Sequence, residues 1–126
     1  MKRIFLIVLL LVLPLLAKTE WVDPFDAYDE AKAQNKNVLV MLSMKGCPGC
    51  EYMEDVVFEN REVAKKLQEN FILVHLDVRE DSIPEKFKYF ATPTFYFVDA
   101  EENILKRLNG GKHAKDFLKT LEEMKK

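Results

Sequence analysis

Two cysteines in 126 residues are too few for the multi-bridge framework of a small disulfide scaffold, and alone they cannot supply the four protein ligands of a structural zinc site. Whatever they do, they do as a pair. No stretch is dense in lysine and arginine. Nineteen basic residues stand against 21 acidic ones, a net charge of -2, so the footprint of a nucleic-acid or membrane-surface binder is missing. The length excludes a second domain. Internal repeats, low-complexity tracts and interdomain linkers are missing as well.

What is present begins with a biased leader. Lys2 and Arg3 precede an apolar run from Ile4 to Ala17, broken only by Pro14, and the chain turns polar at Lys18-Thr19-Glu20. This is the pattern of a secretory signal peptide over residues 1–17, with cleavage expected after Ala17. The run is shorter than the roughly 20 residues of a membrane-spanning helix. No cysteine stands at its exit to accept a lipid. The alternative is an uncleaved membrane anchor over residues 4–17. Either way the domain, residues 18–126, is expected to be exported to the periplasm or secreted.

Along that domain, Asp23-Pro24 reads as the cap and first position of a helix reaching Gln34. Val38 to Met44 is a continuous apolar run bounded by turn residues, hence a strand buried on both faces. Helical periodicity starts at Pro48, and Asn60 is placed to cap a second piece reaching about Asn70. Phe71 to Val78 is another buried strand. Ser82 with Glu85 resembles a capping box, predicting a short helix to about Phe90. Thr94–Val98 and Ile104–Leu108 read as a hairpin around a five-residue loop, and Phe117, Leu118, Leu121 and Met124 mark a closing helix.

Cys47-Pro48-Gly49-Cys50 stands where the first strand ends and a helix begins. Unpaired backbone N–H groups and the positive end of the helix dipole stabilise a thiolate there, which makes Cys47 the expected nucleophile. Cys50, one turn deeper, can close onto Cys47 and resolve a mixed disulfide. Two other readings stand beside this one. A purely structural bridge would close a loop of about four residues and stabilise by only about 2 kcal/mol. Met44, Cys47, Cys50 and Met53 form a symmetric set of soft donors that suits copper(I), as in a metal chaperone, although Met53 equally belongs to an apolar arc with Val56 and Val57. Haem attachment would require histidine where Glu51 stands.

On a wheel of about 100° per residue, Glu54 falls roughly 40° from Cys50, on the side of Cys47. It is either a proton acceptor for Cys50 or a solvated surface glutamate. Lys45 reads as a solvated loop residue, and His75 and His113 read as structural.

The strand VLVMLSM, the CPGC motif, EYMEDVVFENREV, FILVHLDV, ATPTFYFVDAEEN and the closing NGG with its helix together resemble the thioredoxin superfamily. The likeness is to the secreted group that includes the C-terminal domain of the thiol:disulfide interchange protein DsbD. It implies an α/β thioredoxin fold with a central mixed four-stranded sheet flanked by helices. It implies that Cys47 and Cys50 form a redox-active disulfide without a cofactor or metal. Thr92 and Pro93 match the cis-proline loop that pairs with an extended substrate, Gly110 a glycine of the neighbouring loop, and Glu54 an acid near the cysteines. The implied partners are disulfide-containing proteins and a membrane electron donor of the DsbD type, with no nucleic acid. The domain is expected to be a monomer, because 109 residues leave no room for a dimerisation module. Two departures stand out: Met41 occupies the place of a usual buried aspartate, and Gly46 that of a common tryptophan. The competing class is a binding protein, a copper(I) chaperone or an assembly factor on the same fold.

Overall fold

An apolar run with turn residues at both ends suits the middle of a sheet, where both faces of the strand are covered. The computed structural model, which describes residues 19–126, puts Asn37–Ser43 there as β1, buried throughout. It pairs in parallel with β2 (Phe71–Asp77) and antiparallel with β3 (Thr94–Val98). β4 (Ile104–Asn109) completes the sheet antiparallel to β3, giving the order β2-β1-β3-β4. The mixed four-stranded sheet expected from the sequence is present. The predicted leader, residues 1–17, lies outside the described residues.

Alternation along the strands splits the core in two. Leu39, Met41, Leu73, Phe95 and Phe97 face one side, where α3 (Arg61–Asn70) and α4 (Ala114–Met124) cover them with Val63, Leu67, Phe117 and Leu121. Cys47, Cys50 and Met53 belong to this same cluster. Val38, Val40, Leu42, Val74 and Tyr96 face the other side, against Ala27 and Ala31 of α1 (Ala27–Gln34) and Phe87. Each fully buried large side chain, such as Phe95 or Phe117, stabilises the fold by about 1.5–3 kcal/mol.

Asn60 caps α3 as its sequence suggests, accepting the N–H groups of Glu62 and Val63. Two predicted helix starts are corrected. α1 begins at Ala27 because the Asp23 carboxylate takes the Phe25 N–H in a local turn and Asp26 N–H bonds back to the Asp23 carbonyl. Ser82–Phe90 is irregular rather than helical. Phe87 is drawn into the second core against Tyr96, whose hydroxyl bonds to the Lys88 carbonyl, so tertiary contacts override the local capping signal. The β3–β4 loop has the five residues expected, and Asp99 organises it by accepting the N–H groups of Glu101 and Asn103. These bonds hold its carboxyl below the usual range, with the Asn103 N–H contributing most.

Candidate active site

β1 runs out at Ser43, and Gly46, at φ 75°, turns the chain back toward a helix. Its left-handed torsion is what a glycine accommodates without strain. Cys47 is the N-cap of α2 (Pro48–Tyr52), with Pro48 at the position where a missing N–H costs nothing. The Cys50 N–H points at the Cys47 sulfur, 3.2 Å away. The two cysteines are joined as a disulfide, with Cα atoms 5.3 Å apart, and both are nearly buried, Cys47 5% exposed and Cys50 2%.

The two sulfurs face different neighbours. On the Cys47 side is the Thr92–Pro93 loop, whose peptide bond is cis. The Thr92 hydroxyl donates to Cys47 Sγ at 3.3 Å, and the Thr92 carbonyl oxygen lies 3.4 Å from the same sulfur. In the disulfide that second approach is a contact, and it becomes a hydrogen bond once Cys47 carries a thiol proton. Pro93 Cδ presses on Gly49, where an added Cβ would stand 3.1 Å away. The Pro93 carbonyl accepts the Gly110 N–H at 2.8 Å, and Gly110 takes φ 79°. Thr92, Pro93 and Gly110 are thus assembled beside Cys47. Just before them in the sequence Phe90 is 82% exposed, an apolar side chain open to solvent. Met53, by contrast, is fully buried, and its sulfur accepts the Lys112 N–H at 3.3 Å, a packing role.

On the Cys50 side a cleft of about 390 Å³ is lined by Cys50, Glu51, Glu54, His75 and Asp77, together with Lys45, Glu80 and Asp81. Glu54 reaches it from a π-helical turn, Met53–Val57, that continues α2. The Phe58 N–H bonds to the Met53 carbonyl there. Glu54 Oε1 lies 3.1 Å from His75 Nε2, a pairing that the reading of His75 as structural does not include. The ring of Trp21 sits 5.1 Å from that of His75, brought there by an N-terminal segment whose Val22 N–H bonds to the Leu73 carbonyl on β2. A sequence signal for His75 did exist: it lies two residues after Leu73, and period-2 alternation puts both on the face that carries the cysteines.

Asp77 ends β2 and accepts the N–H groups of Arg79, Glu80 and Lys45, tying the loop before Cys47 to the sheet. These bonds, that of Arg79 foremost, hold its carboxyl below the usual carboxylate range. Lys45 is a surface residue paired with Glu80 at 2.7 Å, in keeping with the solvated reading. Met41, opposite His75 in the sheet register, is fully buried, so a thioether fills the place of the usual buried aspartate. Beyond α2, the Tyr52 hydroxyl lies 2.9 Å from Nδ1 of His113, the N-cap of α4, a pairing that no local sequence pattern announces.

Comparison with known proteins agrees with this geometry. Thioredoxin H4 of Arabidopsis thaliana is 31% identical over 85 residues, which cover 67% of this chain and 69% of that protein. Spermatogenesis-associated protein 20 of Mus musculus is 38% identical over 55 residues, 44% of this chain, and the match spans only 7% of that relative's length. Among solved structures, a thioredoxin from Thermus thermophilus superposes with a TM-score of 0.70 at 26% identity, covering 82% of this chain and 85% of that one. The oxidised DsbD C-terminal domain of Neisseria meningitidis shares the fold, with a TM-score of 0.65 at 18% identity over 85% of this chain and all of that one. Residues 24–125 match the model of the family described as Thioredoxin-like domain. The chain therefore belongs to the thioredoxin-like domain family, a thioredoxin-type oxidoreductase fold with the Cys47–Cys50 pair at its site.

Proposed function

We propose that this protein is an exported thiol-disulfide oxidoreductase that reduces disulfides in other proteins. The observation that carries the reading is the placement of Cys47, at a helix N-cap, with its sulfur contacted by the Cys50 N–H and the Thr92 hydroxyl. Donors aimed at a sulfur favour its thiolate, the form that attacks. In the reduced enzyme Cys47 thiolate attacks a substrate disulfide, forming a mixed disulfide and releasing one substrate thiolate. Cys50 then attacks Cys47 sulfur, the second substrate sulfur leaves, and two electrons have passed from the cysteine pair to the substrate.

The Thr92–Pro93 loop supports a binding role for an extended segment, since the chain there runs beside the sulfur and Phe90 offers apolar surface. Gly110 supports it by holding the loop through the Pro93 carbonyl. Turnover requires a dithiol donor. In an exported protein a membrane electron donor of the DsbD type meets that need, because the compartment itself is oxidising. The leader pattern over residues 1–17 supports export. Copper(I) handling is less well supported, because Met53 is committed to the core and to Lys112.

The test is a disulfide-reduction assay on insulin with dithiothreitol as donor, together with the measured reduction potential. Cys47→Ser is expected to abolish activity, and Cys50→Ser to accumulate a mixed disulfide with substrate. Failure of the wild-type protein to reduce any disulfide, with tight binding of one copper(I), would replace this reading by the metal one.

A further inference from the structure

Resting on the exchange reading above, we propose that His75 is a positioning residue for Glu54 and that the pair takes up and passes on the proton of Cys50. Met41 leaves no buried carboxyl at its position on this face of the sheet, so a proton acceptor for Cys50 must come from the cleft. The cleft is crowded with acid. Glu51 comes from α2, Glu54 from the π-helical turn, Asp77 from β2, and Glu80 and Asp81 from the loop after it.

Among the described residues two basic groups line the same space, and one of them is committed. The Lys45 ammonium lies 2.7 Å from Glu80. Asp77 is satisfied by three backbone N–H groups. His75 is the basic group within ion-pairing distance of Glu54, at 3.1 Å, and among the described residues no other hydrogen bond or ion pair engages Glu54. The imidazole holds the Glu54 carboxylate by one oxygen and so fixes it in the cleft that Cys50 lines. Trp21 lies against the imidazole and gives it an aromatic neighbour on the N-terminal side.

The step balances as follows. Cys50 attacks the Cys47–substrate disulfide, the Cys50–Cys47 bond forms and the Cys47–substrate bond breaks, and the substrate leaves as a thiolate that takes a proton from solvent. The Cys50 proton goes to Glu54. Glu54, held by His75, then passes that proton to solvent and returns to the carboxylate.

The test measures the resolving step in single turnover against pH for wild type, His75→Gln, His75→Lys, Glu54→Gln and the His75→Gln/Glu54→Gln double variant, with circular dichroism to confirm folding. Glu54→Gln is expected to slow resolution about tenfold or more at neutral pH. His75→Gln should slow it about fivefold, and His75→Lys, which can still hold the carboxylate, should recover part of the loss. In the Glu54→Gln background His75→Gln should cost nothing further, since it acts through the carboxylate. An unchanged rate in folded His75→Gln, or a further fivefold loss when His75→Gln is added to Glu54→Gln, would overturn the inference while leaving the exchange function standing. Loss of all exchange in the wild type would instead strike the function itself.

Discussion

Cys47 and Cys50 are three residues apart, yet the chain handles them with different chemistry. Around Cys47 the contacts are a hydroxyl, a backbone N–H and a carbonyl, none of which titrates near neutrality. Around Cys50 the cleft is lined by carboxylates and an imidazole. In the exchange proposed above, attack by the first cysteine draws on fixed dipoles of the fold, and resolution by the second on the Glu54–His75 pair in the cleft.

The sharpest way to break this division is to put a carboxyl on the sheet under the cysteines. Met41→Asp should destabilise the fold by about 3 kcal/mol or more, because an acid is buried among apolar side chains. Burial raises the pKa of such an acid, so the folded chain holds a proton that the unfolded chain has lost. The penalty should grow as pH rises above about 4 and shrink in acid. Urea unfolding at several pH values checks it, and a penalty independent of pH would show that the new side chain escapes to solvent.

Gly49→Ala attacks the Cys47 side alone. Its methyl would meet Pro93 Cδ at 3.1 Å, and a tight contact of this kind should cost about 1–2 kcal/mol and slow attack on substrate. The pH dependence of resolution should be unaltered. Thr92→Val is milder. It removes one hydrogen bond to Cys47 Sγ, worth about 1 kcal/mol, so alkylation of reduced Cys47 by iodoacetamide near pH 7 should slow about fivefold. Equal alkylation of variant and wild type would remove Thr92 from the activation of the nucleophile.

The smallest effect concerns Asp77. Its folded-state pKa lies below the ordinary value, so its contribution is present above about pH 4 and is lost as pH falls through the folded value. Asp77→Asn should reduce the acid sensitivity of thermal unfolding below pH 4, so its penalty, like that of Met41→Asp, shrinks in acid. Identical acid profiles for Asp77→Asn and wild type would show that the carboxylate does not tie the loop to the sheet.

Much of this was legible before any coordinates. β1, β2 and β3 are apolar runs punctuated by turn residues, and the cysteine motif falls where strand gives way to helix, so local signals and global placement agree there. Ser82–Phe90 misled because its capping residues are local while the burial of Phe87 is not. Glu54 was placed on an α-helical wheel, but Met53–Val57 turns more slowly than 100° per residue, so the wheel loses its angle one residue before Glu54. His75 could not be paired from the sequence. Its partner lies 21 positions away on another element, and only the packing of the π-helical turn against β2 brings the two within 3.1 Å.

The register shift between Phe97 and Val98 leaves Leu105 without a partner, so Ile104 and Leu105 both turn outward on β4, where Lys106 and Arg107 follow. Irregular register and adjacent positive charge make that rim a poor template for another strand. The opposite rim is guarded by occupation instead, since Val22 bonds to the Leu73 carbonyl of β2. At high concentration the sheet thus resists cross-β growth by two unrelated devices, and stripping away the segment around Val22 would disarm only one of them.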